Sequence, residues 1–117
     1  MAVKVKRVYQ PASPEDGTRV LVDRLWPRGV SRAELKLDEW LKEIAPSNEL
    51  RQRFHHDKDK WEEFQQMYFK ELDQHPDLVE QLIRKSRAGD ITLLYAAKDE
   101  IQNNAIALKN YLENKLR

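Results

Sequence analysis

Cysteine is absent, so neither a disulfide nor a thiolate metal site can hold this chain together, and a reducing compartment suits it. Glycine is scarce, with three residues scattered at positions 17, 29 and 89. That excludes a Gly-rich phosphate loop and a Gly-flanked serine elbow. No apolar run approaches the roughly 20 residues that cross a bilayer. Met1 to Arg7 alternates charged and apolar side chains instead of forming a signal-peptide core. Neither sign of charge dominates: 21 Lys and Arg face 20 Asp and Glu, a formal net charge of +1. The whole molecule therefore has no field that gathers polyanions, and attraction for an anion must come from local clustering. A cytoplasmic protein without membrane association is the expectation.

What is present fits one domain over residues 1–117. At that length folding hides roughly two-thirds of the chain's surface, enough for a core without staples. Val3 to Tyr9 starts with period-two alternation and reads as a strand. Pro11 to Gly17 reads as a loop, and Thr18 to Asp23 as a second strand. Ser31 and Glu34 have the spacing of a capping box for a short helix. Leu37, Trp40, Leu41 and Ile44 share a face at helical spacing, so Leu37 to Ile44 reads as an amphipathic helix. Further helices are expected from Asn48 to His55, through Trp61, Phe64, Met67, Tyr68 and Leu72, from about Asp77 to Arg87, and from about Gln102 to Leu116. Gly89 and Asp90 close the third of these. Ile91 to Ala97 is apolar without alternation, as in a strand buried on both faces. Interspersed strands and helices predict an α/β fold, a single three-layer domain with a small, mostly parallel sheet flanked by helices and right-handed crossovers.

In such sheets ligands sit beyond the carboxyl ends of the strands. Those ends deliver Tyr9, then Asp23 to Gly29, then Tyr95 to Asp99. Arg24 and Arg28 carry planar guanidinium forks suited to phosphate or carboxylate oxygens. Lys98 adds a cation, and the last helix starts nearby with Asn103 and Asn104 in its first turn. Each residue has a plain structural alternative. Asp23 and Arg24 can pair at the sheet edge, Trp26 can pack in the core, and Arg28 can be a solvated turn residue. Asn103 and Asn104 can cap a helix, as can Ser47, which lies four residues before Arg51. The adjacent His55 and His56 point about 100° apart on a helix. With no third ligand evident they do not suggest a metal, although one of them can act as a general acid or base.

The block Val22-Asp23-Arg24-Leu25-Trp26-Pro27-Arg28-Gly29, the expected Trp40 helix, and the blocks Ala45-Pro46-Ser47, Leu50-Arg51, Phe54-His55 and Leu93 to Asp99, followed by Asn103 and Ala105, span nearly the whole chain. Together they resemble the bacterial YeaO-like proteins, a branch of the domain of unknown function 488. The resemblance implies a small cytoplasmic α/β protein without an established activity, some of whose relatives carry transcription-regulator labels. It directs attention to Asp23, Arg24, Trp26, Arg28, Ser47, Arg51, His55, Tyr95, Lys98 and Asn103, and assigns them no roles.

The leading expectation is a pocket for a small phosphate- or nucleotide-like anion. Arg24, Arg28 and Lys98 would hold the charge, Trp26 or Tyr95 would stack on a ring, and Asp23 or His55 would move a proton. Whether the chain is an enzyme, and which cofactor it uses if any, stays open. A nucleic-acid binder using Lys4, Lys6, Arg7, Arg28 and Arg32 is the alternative, weakened by the near-zero net charge and the lack of a recognition helix. A homo-oligomeric module built on the Trp61, Phe64, Met67, Tyr68 stripe is the third.

Overall fold

A computed structural model describes residues 2–54 and 58–116. Its centre is a four-stranded parallel sheet in the order β1-β4-β2-β3, with β1 Val3–Arg7, β2 Thr18–Leu21, β3 Glu39–Trp40 and β4 Ile91–Tyr95. β4 lies between β1 and β2, with Val5 and Val20 both opposite Leu93. All five residues of β4 are buried, as the unalternating apolar run requires of a strand covered on both faces. Among the described residues five α-helices complete the fold: α1 Arg32–Leu35, α2 Asn48–Phe54, α3 Trp61–Asp73, α4 Pro76–Ala88 and α5 Asn104–Leu116.

Strand side chains alternate between faces, and the core divides accordingly. Val3, Val20, Ile91 and Leu93 join the apolar stripes of α2, α3, α4 and α5 in the larger cluster. Leu21 and Leu94 point the other way, where Val8 and Leu35 of α1 cover them and Trp26, Val30 and Trp40 pack alongside. The result is a layer of four helices, the sheet, and a thinner layer of α1 with its flanking loops.

The thinner layer is half ionic. At the amino end of the sheet, Asp16 and Arg19 are buried, and Asp16 accepts hydrogen bonds from Arg19 and from Lys6 Nζ at 2.8 Å. Arg19 also donates Nε and Nη2 to the Leu35 carbonyl, and Thr92 Oγ1 donates to the Asp16 carbonyl at 2.7 Å. Burial alone would raise the Asp16 pKa, but the bonds from Lys6, the Ser13 backbone and Arg19 outweigh it and hold the carboxyl below its ordinary value. Gly17 brings this strap against the sheet with φ 65° and ψ −137°. A Cβ there would sit 2.1 Å from the Asp90 carbonyl oxygen, so only glycine fits.

Two details depart from the sequence expectation. The Pro11–Gly17 loop contains a 3₁₀ turn, Pro14–Asp16, capped by Ser13. Leu37 to Ile44 is not a helix: it holds β3 and a 3₁₀ turn, Lys42–Ile44. The four apolar residues that suggested one helical face in fact serve two. Leu37 and Trp40 pack in the smaller cluster, Leu41 and Ile44 in the larger, with the backbone tied to β2 by Asp38 N–H to Arg19 O and Leu41 N–H to Leu21 O. Gly89 closes α4 as expected, with extended backbone at φ 170°. The Ser31–Glu34 capping box stands as expected.

Gly17→Ala is expected to lower the unfolding free energy by at least about 1–3 kcal/mol in urea denaturation, because a side chain is forced into glycine-only backbone. Asp16→Asn, which leaves Arg19 buried without its partner, is expected to cost about 3–5 kcal/mol. With a depressed native pKa, the Asp16 contribution is complete above the unfolded value near about 3.9 and disappears as pH falls through the lower native value. The wild-type advantage over Asp16→Asn should therefore shrink in acid, and a gap that widens there would contradict the clasp.

Candidate functional site

Because the strands are parallel, β1, β2 and β4 all end on one edge, and their loops meet there. Asp23 sits at the centre. Its Oδ2 accepts the Ala96 N–H at 2.9 Å, and its Oδ1 accepts the Asn104 side-chain amide at 3.0 Å. Its backbone carbonyl accepts the Trp40 indole N–H at 2.7 Å. Asn104 also donates to the Val22 carbonyl at 3.1 Å. The Asp23 pKa is raised: burial dominates, and the hydrogen bonds from Asn104 and Ala96 with the positive field of Arg51 offset only part of it. Two segments expected to present donors to an outside anion thus serve a carboxylate of the protein itself.

Beside it lies a second group of polar side chains supplied by the loop after β2, the start of α2, and α3. Arg24 Nη2 donates to the Ala45 carbonyl at 3.1 Å, and Nη1 is 4.0 Å from Glu43 Oε2. Its Nε is buried without a hydrogen-bond partner. Ser47 caps α2, its Oγ accepting the Leu50 N–H at 3.1 Å while its own hydroxyl donates to Glu71 Oε2 at 2.6 Å. Glu71 Oε1 accepts the Ser47 N–H at 2.9 Å, so α3 fixes the start of α2. Arg51, one turn further along, is exposed; its backbone N–H donates to the Ser47 carbonyl at 3.0 Å, while its guanidinium has no hydrogen-bond or ion-pair partner among the described residues. Beneath them Tyr68 is buried and donates to the Ile44 carbonyl at 2.7 Å. Burial pushes its phenol up, with Glu71 and Asp23 adding to the shift and Arg24 opposing it.

The remaining candidates divide by place. Trp26 is a packing residue: its N–H goes to the Val30 carbonyl at 2.7 Å, its ring meets Trp40 edge to face at 5.5 Å, and Arg32 lies 4.9 Å from its centroid. Arg28 and Lys98 are exposed on adjoining loops. Tyr95 is buried in the main core, and burial raises its pKa while Asn103 counters. Asn103 caps α5, its Oδ1 accepting the Ile106 N–H at 2.8 Å and its amide donating to the Asp99 carbonyl. His55, proposed from the sequence as a proton carrier, lies outside the described residues, as does His56. Among the described residues no cluster of ligating side chains could hold a metal.

The strand cations of the nucleic-acid alternative have internal partners. Lys4 donates to the Glu15 carbonyl and pairs with Asp90, Lys6 pairs with Asp16, and Arg7 Nε donates to the Ala97 carbonyl at 2.9 Å. The aromatic stripe of α3 is mostly inward: Tyr68 is in the core, and Phe64 packs against Phe54 and stacks on Trp61. An open hollow of about 510 Å³ lies between α2 and α3, bordered by Ser47, Leu50, Arg53, Met67, Lys70 and Glu71. Of the described residues expected from the sequence to bind a ligand or move a proton, Ser47 alone lines it, alongside Met67 of the aromatic stripe. Sequence reasoning missed Glu71 and Tyr68, because one looks like a solvated helix acid and the other like plain core.

Comparison with known proteins gives one family. Residues 2–117 match the family model described as the inactive DUF488-N3 subclade. The chain is 46% identical over 114 residues to the uncharacterized protein YeaO of Escherichia coli K12, covering 97% of this chain and 99% of the relative. It is 35% identical over 113 residues to the uncharacterized protein Rv3073c of Mycobacterium tuberculosis H37Rv, covering 97% and 95% respectively. No solved structure matches.

Asp23→Asn tests the central clasp. A carboxamide offers one acceptor where two donors converge, so its NH₂ must oppose either Ala96 N–H or the Asn104 amide. The variant is expected to lose about 1–3 kcal/mol in urea denaturation at neutral pH, although a buried charge has been removed. Unchanged or increased stability would show that the clasp is not what holds the rim.

Proposed function

We propose that this chain, which belongs to the YeaO-like DUF488 proteins and within them to the inactive DUF488-N3 subclade, binds a small phosphate-like anion at the carboxyl rim of its sheet without transforming it. The observation that carries this reading is Arg24. Its guanidinium stands at the rim with one hydrogen bond, to Ala45, and with a buried Nε that has no acceptor. Leaving such a donor unpaired costs about 1–3 kcal/mol. An oxyanion with two oxygens in one plane suits the fork and can draw it into a bidentate contact. Arg51 supplies a second guanidinium whose field already reaches Asp23. Arg28 and Lys98 add positive potential from the neighbouring loops.

Binding without turnover follows from how the polar groups are engaged. Each Asp23 carboxylate oxygen already accepts a hydrogen bond from the fold, which supports a structural role for this acid at the rim. The Ser47 hydroxyl donates to Glu71 and accepts from Leu50, which leaves it a structural cap. The description of the matching family as inactive agrees with this.

The test is calorimetric and thermal titration with inorganic phosphate at constant ionic strength. At about one hundred times the dissociation constant the anion should add about 2.7 kcal/mol of stability. Arg24→Ala and Arg51→Ala should each weaken binding by about tenfold or more, and Arg24→Lys should recover only part of it, since a point charge lacks the fork. The proposal falls if the wild-type protein shows no shift, or if the double alanine variant shifts equally.

A further inference from the structure

Soluble proteins expose single apolar side chains in scattered places; here they are gathered. Among the described residues three large hydrophobic side chains are exposed: Tyr9 at 47%, Leu25 at 68% and Ile101 at 77%. Each lies in the loop that leaves one of the neighbouring strands β1, β2 and β4, so all three occupy the carboxyl rim. Internal contacts bring those loops together. The Tyr9 hydroxyl donates to the Arg28 carbonyl at 2.9 Å, Arg7 Nε reaches the Ala97 carbonyl, and Ala96 and Asn104 both bond Asp23. Leu25 directly follows Arg24, and Ile101 lies three residues before Asn104. Neither Leu25 nor Ile101 belongs to a core cluster, so packing of the fold does not explain them. The Tyr9 ring is held by its hydrogen bond and by the Arg7 guanidinium 4.7 Å from its centroid, which makes it a preordered flat surface.

We infer that the anion received at this rim is the charged end of an organic molecule whose apolar or planar body lies over Leu25, Ile101 and Tyr9. The inference rests on the anion-binding reading and adds to it the class of ligand: an organic phosphate instead of a free inorganic ion. Arg24 and Arg51 take the charge, and the apolar shelf beside them discriminates by the body. Ligands with a flat ring and ligands with an alkyl chain share this chemistry, and Tyr9 separates them.

Isothermal titration of the whole protein with inorganic phosphate, adenosine monophosphate and hexyl phosphate, at fixed ionic strength, tests this. At least one organic phosphate should bind about tenfold or more tightly than the inorganic ion. In Leu25→Ser/Ile101→Ser that margin should vanish, while the affinity for inorganic phosphate stays within about threefold of wild type; both sites are solvent-exposed, so folding should survive. Tyr9→Ser should weaken the nucleotide if the body is planar and leave hexyl phosphate unaffected, and a preference for the alkyl ligand supports the shelf equally. Equal affinity for all three ligands, or an organic preference that persists in the double variant, would overturn the inference and leave the anion site standing. Absence of binding by any of the three would overturn both.

Discussion

The Asp23 carboxylate is the constraint on which the rim of this protein depends. It follows β2, takes a backbone N–H from the end of β4, takes a side-chain amide from the start of α5, and offers its own carbonyl to the indole of Trp40 in β3. Parallel strands have no hairpins to tie their ends together, so something else must close the edge at which their loops emerge. A single acid does so with charge-assisted hydrogen bonds, which are shorter and stronger than neutral ones. Its burial raises its pKa, which shows that the cluster is held against a desolvation cost. The chemistry available at the rim is therefore that of the cations around Asp23, with the acid itself already engaged.

The two faces of the sheet are solved differently. Four helices cover one face with a continuous apolar layer, and the other is closed by a short helix, two indoles and a buried ionic strap. The strap is the economical choice for a short segment. The seven residues from Pro11 to Gly17 carry too little apolar surface to hide the amino half of β2 and β4, whereas Asp16 can bind Arg19, Lys6 and Thr92 together. The arrangement requires glycine at position 17, because the chain passes against the Asp90 backbone there. At the opposite end of the same face Trp26 and Trp40 take over, and each indole N–H finds a carbonyl, as buried tryptophans generally do.

Much of this was readable from residue order. The β4 run, the Ser31–Glu34 box, the Ser47 cap and the stripes of α3, α4 and α5 are local patterns that the tertiary structure reinforces. The Leu37–Ile44 segment reads as a helix because helical spacing and a strand that feeds both faces produce the same apolar intervals; only pairing with β2 decides between them. At the rim, proximity in sequence led to Arg24, but nothing local separates it from Arg28, which ends in solvent. Trp26 drew attention as a stacking platform, yet its ring is enclosed by Trp40 and Arg32. Glu71 was illegible for a deeper reason. Its partner Ser47 lies 24 residues away, and no periodicity within α3 marks a helix acid that fastens another helix's first turn.

The strand order has one more consequence. A parallel sheet of four strands exposes two unpaired borders, and such borders recruit strands from other molecules. Here one border is β3, only two residues long, too short to template an added strand. The other is β1, where Lys4, Lys6 and Arg7 fall within five residues and are tied to Asp90, Asp16 and the Ala97 carbonyl of the same molecule, so that a strand laid alongside would meet charged side chains already engaged by the fold. Brevity on one side and charged side chains on the other blunt both borders of the sheet.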